Sequence, residues 1–255
     1  MAPYLRLRQI CLVAERLEPA VETLAAVFAL EECHRDPNVG KYGLVNALLP
    51  IGTSFLEIVS PTRPDTAAGR FLARRGGDAG YMVICDCDDN SRFRPRAREA
   101  GVRIIEDHVY EGRAHLLQLH PRDTGGCILE FDHHVGGEAL DGAYQWAGPH
   151  WQQHRRTDRL TAITGVTMTS PAPEALARKW ASLCGATVRP DLSLDVDNAK
   201  IRFMAGTEDA LARVHLAVCD AAAIGAAARS RGLSLLPGDA GINICGVAFT
   251  WGDAA

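Results

Sequence analysis

Two glutamates stand in strand-like runs that are otherwise apolar, Glu57 in FLEIV and Glu130 in CILEFD. Alternation along a strand puts Phe55 and Val59 on the face of Glu57, and Ile128 on the face of Glu130. A carboxylate on an apolar face is costly to bury unless it meets a cation, a hydrogen-bond donor or a metal ion, or shares a proton. Gln9 interrupts a third apolar row, formed by Leu7, Cys11 and Val13. The alternative to a functional role is that each glutamate accepts hydrogen bonds from a neighbouring strand or pairs with one of the many arginines.

Other reactive types are weaker signals. His115 and His120 flank the run HLLQLH on the strand expected beside Glu130, but sequence does not fix their register, and His120 opens the polar turn HPRDTGG. Asp132, His133 and His134 follow Glu130, yet neighbours on a strand point to opposite faces, so at most Asp132 is expected on its side. Cys85 and Cys87 would share a strand face without a zinc-ribbon spacing. The five arginines of RFRPRAREAGVR suit an anion or, more simply, the solvated face of a helix. Trp146 and Trp151 lie in YQWAGPHWQQHRR, where they can close over a ligand as substrate-binding residues or staple two parts of the chain together.

The elements that must position these residues recur. Leu5 to Leu30 reads as a strand followed by a helix with Ala20, Val21, Leu24, Val27 and Phe28 at helical spacing, and residues 161–185 repeat it with Pro173, Leu176, Trp180, Leu183 and a closing Gly185. GYMVICDC with RPRAREAGVRII, and RVHLAVCD with GAAARSRGLSLL, are a second pair of units closed by Gly101 and Gly232, with Asp220 as the N-cap of the last helix. Hairpins end both units of the first half, so strand, helix and three strands are expected twice there. The second half is shorter. This predicts tandem βαβββ modules in an α+β fold: a first half over 1–140, a linker over 141–157 and a compressed second half over 158–255.

With 255 residues, 47% of them hydrophobic, the chain can bury a sizeable core. Its 27 basic and 31 acidic residues, net −4, leave no basic footprint for nucleic acid. No segment approaches the roughly 18 apolar residues of a membrane span, and MAPYLRLRQI has charges where a signal peptide needs its apolar region, so a cytoplasmic protein with reduced, buried thiols is expected. No phosphate loop, nucleophile elbow or HExxH is present.

The opening RQICLVAERLEPAVETLAAVFAL and the closing strands FLEIVSP and CILEFD resemble the vicinal oxygen chelate superfamily, which includes glyoxalase I, methylmalonyl-CoA epimerase, extradiol dioxygenases and bleomycin-type resistance proteins. The whole chain is similar to two-domain bacterial glyoxalase-like proteins. The resemblance implies curved mixed sheets that form a cup, with a divalent metal held from the first and last strands of each module. Its ligand positions fall on Gln9, Glu57 and Glu130, while the fourth carries Gly80 where histidine is usual. Three oxygen donors suit a hard cation completed by water, with His120 as a further candidate ligand. In the second half Gly165 and Arg213 stand at the leading positions, His215 is two residues displaced, and KIRFMAG and NICGVAFTW carry no inward carboxylate. That argues against an extradiol dioxygenase.

The resemblance thus implies a metal-dependent lyase or isomerase acting on a small oxygenated metabolite, in which the metal polarises an oxygen and Glu57 or Glu130 is the base. The second reading is a non-catalytic, metal-free protein that sequesters a ligand, and Gly80 favours it. A homodimer is the expected assembly, with no nucleic-acid or membrane partner.

Overall fold

The computed structural model describes residues 3–252. β1 (Leu5–Val13) leads into α1 (Leu17–Phe28), which buries Leu17, Ala20, Val21, Leu24, Val27 and Phe28 along one face. β2 (Leu44–Ile51) and β3 (Ser54–Pro61) follow as a hairpin, in register from Leu44↔Pro61 to Ile51↔Ser54. The third strand expected after α1 is reduced to one bridge, His34↔Leu48. Asp36 accounts for this: its carboxylate accepts the Asn38 N–H at 2.8 Å and opens a 3-10 turn over Pro37–Tyr42, while Pro37 has no amide hydrogen for a ladder.

A helix that periodicity did not reveal comes next, α2 (Ala67–Arg75), whose buried stripe is only Ala68, Phe71 and Leu72. Its ends do carry signals, since Thr66 Oγ1 accepts the Gly69 N–H at 2.9 Å and Gly76 closes the last turn. β4 (Ala79–Cys87), α3 (Phe93–Glu99), β5 (Ile104–Tyr110), β6 (Ala114–Leu119) and β7 (Ile128–His134) then give strand, helix and three strands as expected. These seven strands form one mixed sheet in the order β2-β3-β1-β4-β7-β6-β5.

The second sheet is built from β8 (Leu160–Ser170), α4 (Pro173–Cys184), β9 (Ser193–Val196), β10 (Ala199–Ala205), β11 (Ala210–Val218), α5 (Ala221–Ser230), β12 (Gly241–Ile244) and β13 (Val247–Thr250). Its order is β12-β13-β11-β8-β10-β9, so each helix is followed by two strands where the β4 module has three. The closing strand of each module lies parallel to its first: β7 beside β4, β10 beside β8, β13 beside β11. Gly185 ends α4, and Asp220 caps α5 by accepting the Ala223 N–H at 2.8 Å.

The chain forms two compact units, each of which draws on both halves of the sequence. One comprises residues up to Gln9, Tyr81–Gln145 and Thr164–Ala212. Within it α3 packs on α4, Phe93 stacks on Phe131 at 3.9 Å, and Trp180 donates to the Thr124 carbonyl at 2.9 Å with its ring edge-on to Phe203. The other comprises Ile10–Gly80, Trp146–Ile163 and residues from Arg213 on. There α1 packs on β2, β3 and α5, and Phe28 meets Phe249 at 5.2 Å. Each such buried aromatic contributes roughly 1.5–3 kcal/mol of transfer free energy. All eight cysteines are free, but Cys219 at the end of β11 is exposed, and Cys33 and Cys245 are half-buried, so the expectation of buried thiols fails there. No helix among the described residues is long and apolar enough to cross a membrane.

Candidate functional site

In the unit that holds Glu130, strand register fixes the shared face. Ile84 and Gln118 lie across from Glu130, and Asp86 and Leu116 lie across from Asp132. The opposite face, with Leu129 and Phe131, meets α3. Glu130 is 3% exposed and accepts a 2.7 Å hydrogen bond from Gln118 Nε2. Asp132 and His134 continue the same face of β7, both buried, whereas His133 turns away to the Cys87 carbonyl at 3.2 Å.

His134 Nδ1 accepts the Gln145 N–H at 3.2 Å, which leaves the ring proton on Nε2, 3.7 Å from Asp132 Oδ2. Burial pushes its pKa down to about 3, so the ring is neutral. Tyr144 lies against it, ring centroids 4.6 Å apart, and burial first, then Asp132 and Glu130, holds the phenol well above its ordinary range. Arg6 pairs with Asp86 and donates to the Gly137 and Glu138 carbonyls at 2.7 and 3.1 Å. Arg8, its pKa lowered by burial, donates to the Leu140 carbonyl at 2.7 Å and sits over the Tyr144 ring. The segment after β7 is therefore fixed by two arginines of β1. Gln9, 2% exposed, is on that same strand.

The other unit holds Glu57, 7% exposed, on the β3 face shared with Phe55 and Val59 and, across the hairpin, with Asn46, Leu48 and Pro50. Asn46 Oδ1 accepts the Asp36 N–H at 2.8 Å, which orients Nδ2 toward Glu57 Oε1 at 2.7 Å. Trp151 is buried edge-on to Phe55 at 5.0 Å, so it lies on the Glu57 face, while Trp146 is half-buried in a short 3-10 turn. Each glutamate thus accepts from a neutral amide on the adjacent strand. Elsewhere Asp107, bonded to Arg94 at 2.6 Å, is held at about 2 by the guanidinium.

His115 sits opposite His133 on β7 and therefore faces away from Glu130, bonded to Asp107 at 2.8 Å. His120 lies one residue past β6, where its Nδ1 accepts the Arg122 N–H at 3.1 Å. Four of the five arginines of the 92–103 run, Arg92, Arg94, Arg96 and Arg103, are engaged with Asp88, Asp107, the Cys184 carbonyl and Asp123, and Arg98 is exposed. Asn46, Gln118, Asp86 and the Arg6–Arg8 pair escaped the sequence reading, and the expectation that at most Asp132 shares the Glu130 side fails, because His134, four residues after Glu130, lies on that face too. The available signal was polar residues two apart within an apolar strand, as in LRLRQ and ICDC.

Among the described residues no three His, Cys, Asp or Glu side chains gather as a ligand set. The donors at the expected metal positions are two carboxylates and one amide, Glu57, Glu130 and Gln9. Each is an oxygen donor of the kind a hard cation takes, with Gln9 and Glu130 in one unit and Glu57 in the other. In the second half the absence of a side chain at Gly165 has a steric cause: a Cβ there would lie 2.2 Å from the Lys200 carbonyl oxygen.

The sequence model of the glyoxalase-like domain family matches residues 10–184. An ethylmalonyl-CoA/methylmalonyl-CoA epimerase from Cereibacter sphaeroides is 23% identical over 94 residues, 36% of this chain and 70% of that protein. Among solved structures, a Staphylococcus aureus protein described as hypothetical matches 97% of this chain and 99% of its own, with TM-score 0.65 and 13% identity, which places the whole fold. A methylmalonyl-CoA epimerase of Streptomyces coelicolor with 2-nitronate-propionyl-CoA is 26% identical, covering 52% of this chain and 99% of its own, at TM-score 0.46.

Proposed function

The chain belongs to the glyoxalase-like domain family of the vicinal oxygen chelate superfamily, and from that premise we propose that it is an enzyme that moves a proton on a small oxygenated metabolite. The reaction is of lyase or isomerase type, and the functional cup belongs to residues 1–140. The observation that carries this reading is Glu130, buried on its strand with its carboxylate oriented by the Gln118 amide. A carboxylate fixed in this way is positioned to act as a general base toward a carbon-bound proton.

Glu130 removes the proton next to the substrate's oxygen-bearing carbon, and Gln118 holds the carboxylate in place while it does so. Glu57, held in the same manner by Asn46, is the acid–base group of the other unit. Tyr144, kept protonated, supplies a hydrogen-bond donor in the buried polar cluster with Glu130. Gln9 and Glu130, with His120 a further candidate, would hold a divalent cation in one unit, and Glu57 would do so in the other. When bound, such a cation supplies Lewis-acid polarisation of a substrate oxygen. Trp151 and Trp146 are assigned to substrate packing, and the assembly to a homodimer.

The test is wash-in of solvent deuterium. The protein, as isolated and after loading with Mn2+ or Co2+, is incubated in D2O with small acyl thioesters and 2-oxo or 2-hydroxy acids, methylmalonyl-CoA among them because of the relative's name, and exchange is read by mass spectrometry. Glu130→Gln should reduce exchange by roughly 10²–10⁴-fold. Glu57→Gln with Glu130→Gln should in addition abolish bound metal, read by elemental analysis, and leave the fold intact. Full exchange in the double variant would overturn the assignment. Gly80 supports a second reading, metal-free sequestration; tight ligand binding without exchange or metal would select it.

A further inference from the structure

We propose that the outer polar face of β11, β13 and β12 binds a small oxyanion through Arg213, a site unrelated to the glutamates. The register puts Arg213 across from Ala248, which in turn lies across from Asn243; the next row is His215, Thr250 and Gly241. The other face of these strands, with Val214, Phe249 and Ile242, is buried apolar core. The polar rows therefore contain a guanidinium, an imidazole, a carboxamide and a hydroxyl, and no carboxylate.

Arg213 is half-buried and makes no hydrogen bond or ion pair among the described residues. This sets it apart from Arg6, Arg35, Arg94 and Arg103, each of which meets a carboxylate. A partly desolvated guanidinium without a partner is unfavourable, and a carboxylate or phosphate group is the partner its forked geometry matches. Ala248 beside it leaves room above the strand. His215 is fixed by a 2.9 Å hydrogen bond between its Nδ1 and Thr250 Oγ1, so its ring is ordered next to the guanidinium rather than free to turn. Half-exposed Ala248 and exposed Asn243 leave the row open to solvent. The ligand class is a small molecule bearing one terminal oxyanion, held two-pronged by Arg213 with Asn243 as an added donor.

The test uses the full-length protein with isotope-labelled side chains. The Arg213 Nε–H and Asn243 amide resonances are followed by NMR as sodium phosphate, and separately sodium acetate, replaces sodium chloride at constant ionic strength. Saturable shifts with a dissociation constant near about 1 mM, weakened at least ten-fold in Arg213→Gln and partly in Asn243→Ala, are expected, and the tighter anion identifies the head group. Glu130→Gln should leave the titration unchanged, which separates this site from the proposed catalytic one. Linear shifts, equal shifts with chloride, or shifts that persist in Arg213→Gln would mean a merely solvated face and overturn the proposal. Unaltered backbone spectra of the variant away from β11 establish that loss of binding is not loss of fold.

Discussion

In one unit the face shared by β4 and β7 carries Asp86, Glu130 and Asp132, all buried, while in the other the face shared by β11 and β13 carries Arg213 and His215, both half-exposed. The helix-covered faces do not differ in kind: Leu129 and Phe131 in one sheet, Met168, Phe203 and Phe249 in the other, all buried. The apolar face specifies the module, because it must fill the space against a helix at native packing density. The polar face is under no such constraint: in one unit it holds carboxylates, with Arg6 bonded to Asp86, and in the other it holds Arg213 and His215 in rows without a carboxylate. A carboxylate face suits a cation or a carbon acid, and an arginine face suits an oxyanion.

The largest expected effect belongs to the six-stranded sheet. Gly165→Ala places a Cβ 2.2 Å from a backbone oxygen on the adjacent strand, where no side-chain rotation relieves it. We expect a loss of about 3–5 kcal/mol, or roughly 10 °C in thermal midpoint, by calorimetry. A midpoint unchanged within about 2 °C would remove the steric reason given for the missing ligand and make its absence a matter of history alone.

The next effect belongs to the seven-stranded sheet. His134 has a folded pKa of about 3 and an ordinary value of 6.5, so as pH falls below about 6.5 the unfolded chain takes up a proton that the folded state refuses. The stabilisation is complete above that value and diminishes as pH falls toward 3. By pH 4.5 the loss is roughly 2–3 kcal/mol, measured by urea unfolding. His134→Asn keeps an acceptor for the Gln145 N–H and cannot titrate, so its stability should be flatter by that amount across the window. An identical slope in both proteins would place the acid sensitivity elsewhere.

Much of this contrast was legible in the sequence, and the reasons it was partial are local. Alternation placed Glu57 and Glu130 on strands, and both hairpins and the cap at Asp220 formed as expected. The α2 helix was missed because a three-residue stripe around Gly69 gives little periodicity. The strand expected after α1 was overridden by the Asp36–Pro37 turn. Partners were the least readable. Asn46 is fixed by a backbone N–H ten residues away, and Gln118 meets Glu130 only because β6 and β7 pair in one register of several that the pattern allows. His134 could be placed on the Glu130 face by counting alone, but its neutrality comes from the burial supplied by Tyr144 and neighbouring strands.

The smallest effect compares one polar residue from each sheet. Gln118 donates directly to a buried carboxylate, so Gln118→Leu leaves Glu130 short of a charge-assisted bond and should cost about 1.5–3 kcal/mol. Arg202 on β10 lies between Thr167 and Ser193 in register, half-buried and without an ion pair among the described residues. Its removal in Arg202→Met strands no partner and keeps the stem that packs along the sheet, so stability should change by less than about 0.5 kcal/mol. The Gln118 loss should largely vanish in a Glu130→Gln background, because the carboxylate it served is gone; that coupling is the content of a double-mutant cycle. Equal costs for Gln118→Leu and Arg202→Met, or additivity of Gln118→Leu with Glu130→Gln, would mean that the buried amide is ordinary packing. The two faces would then differ in charge and not in how that charge is held.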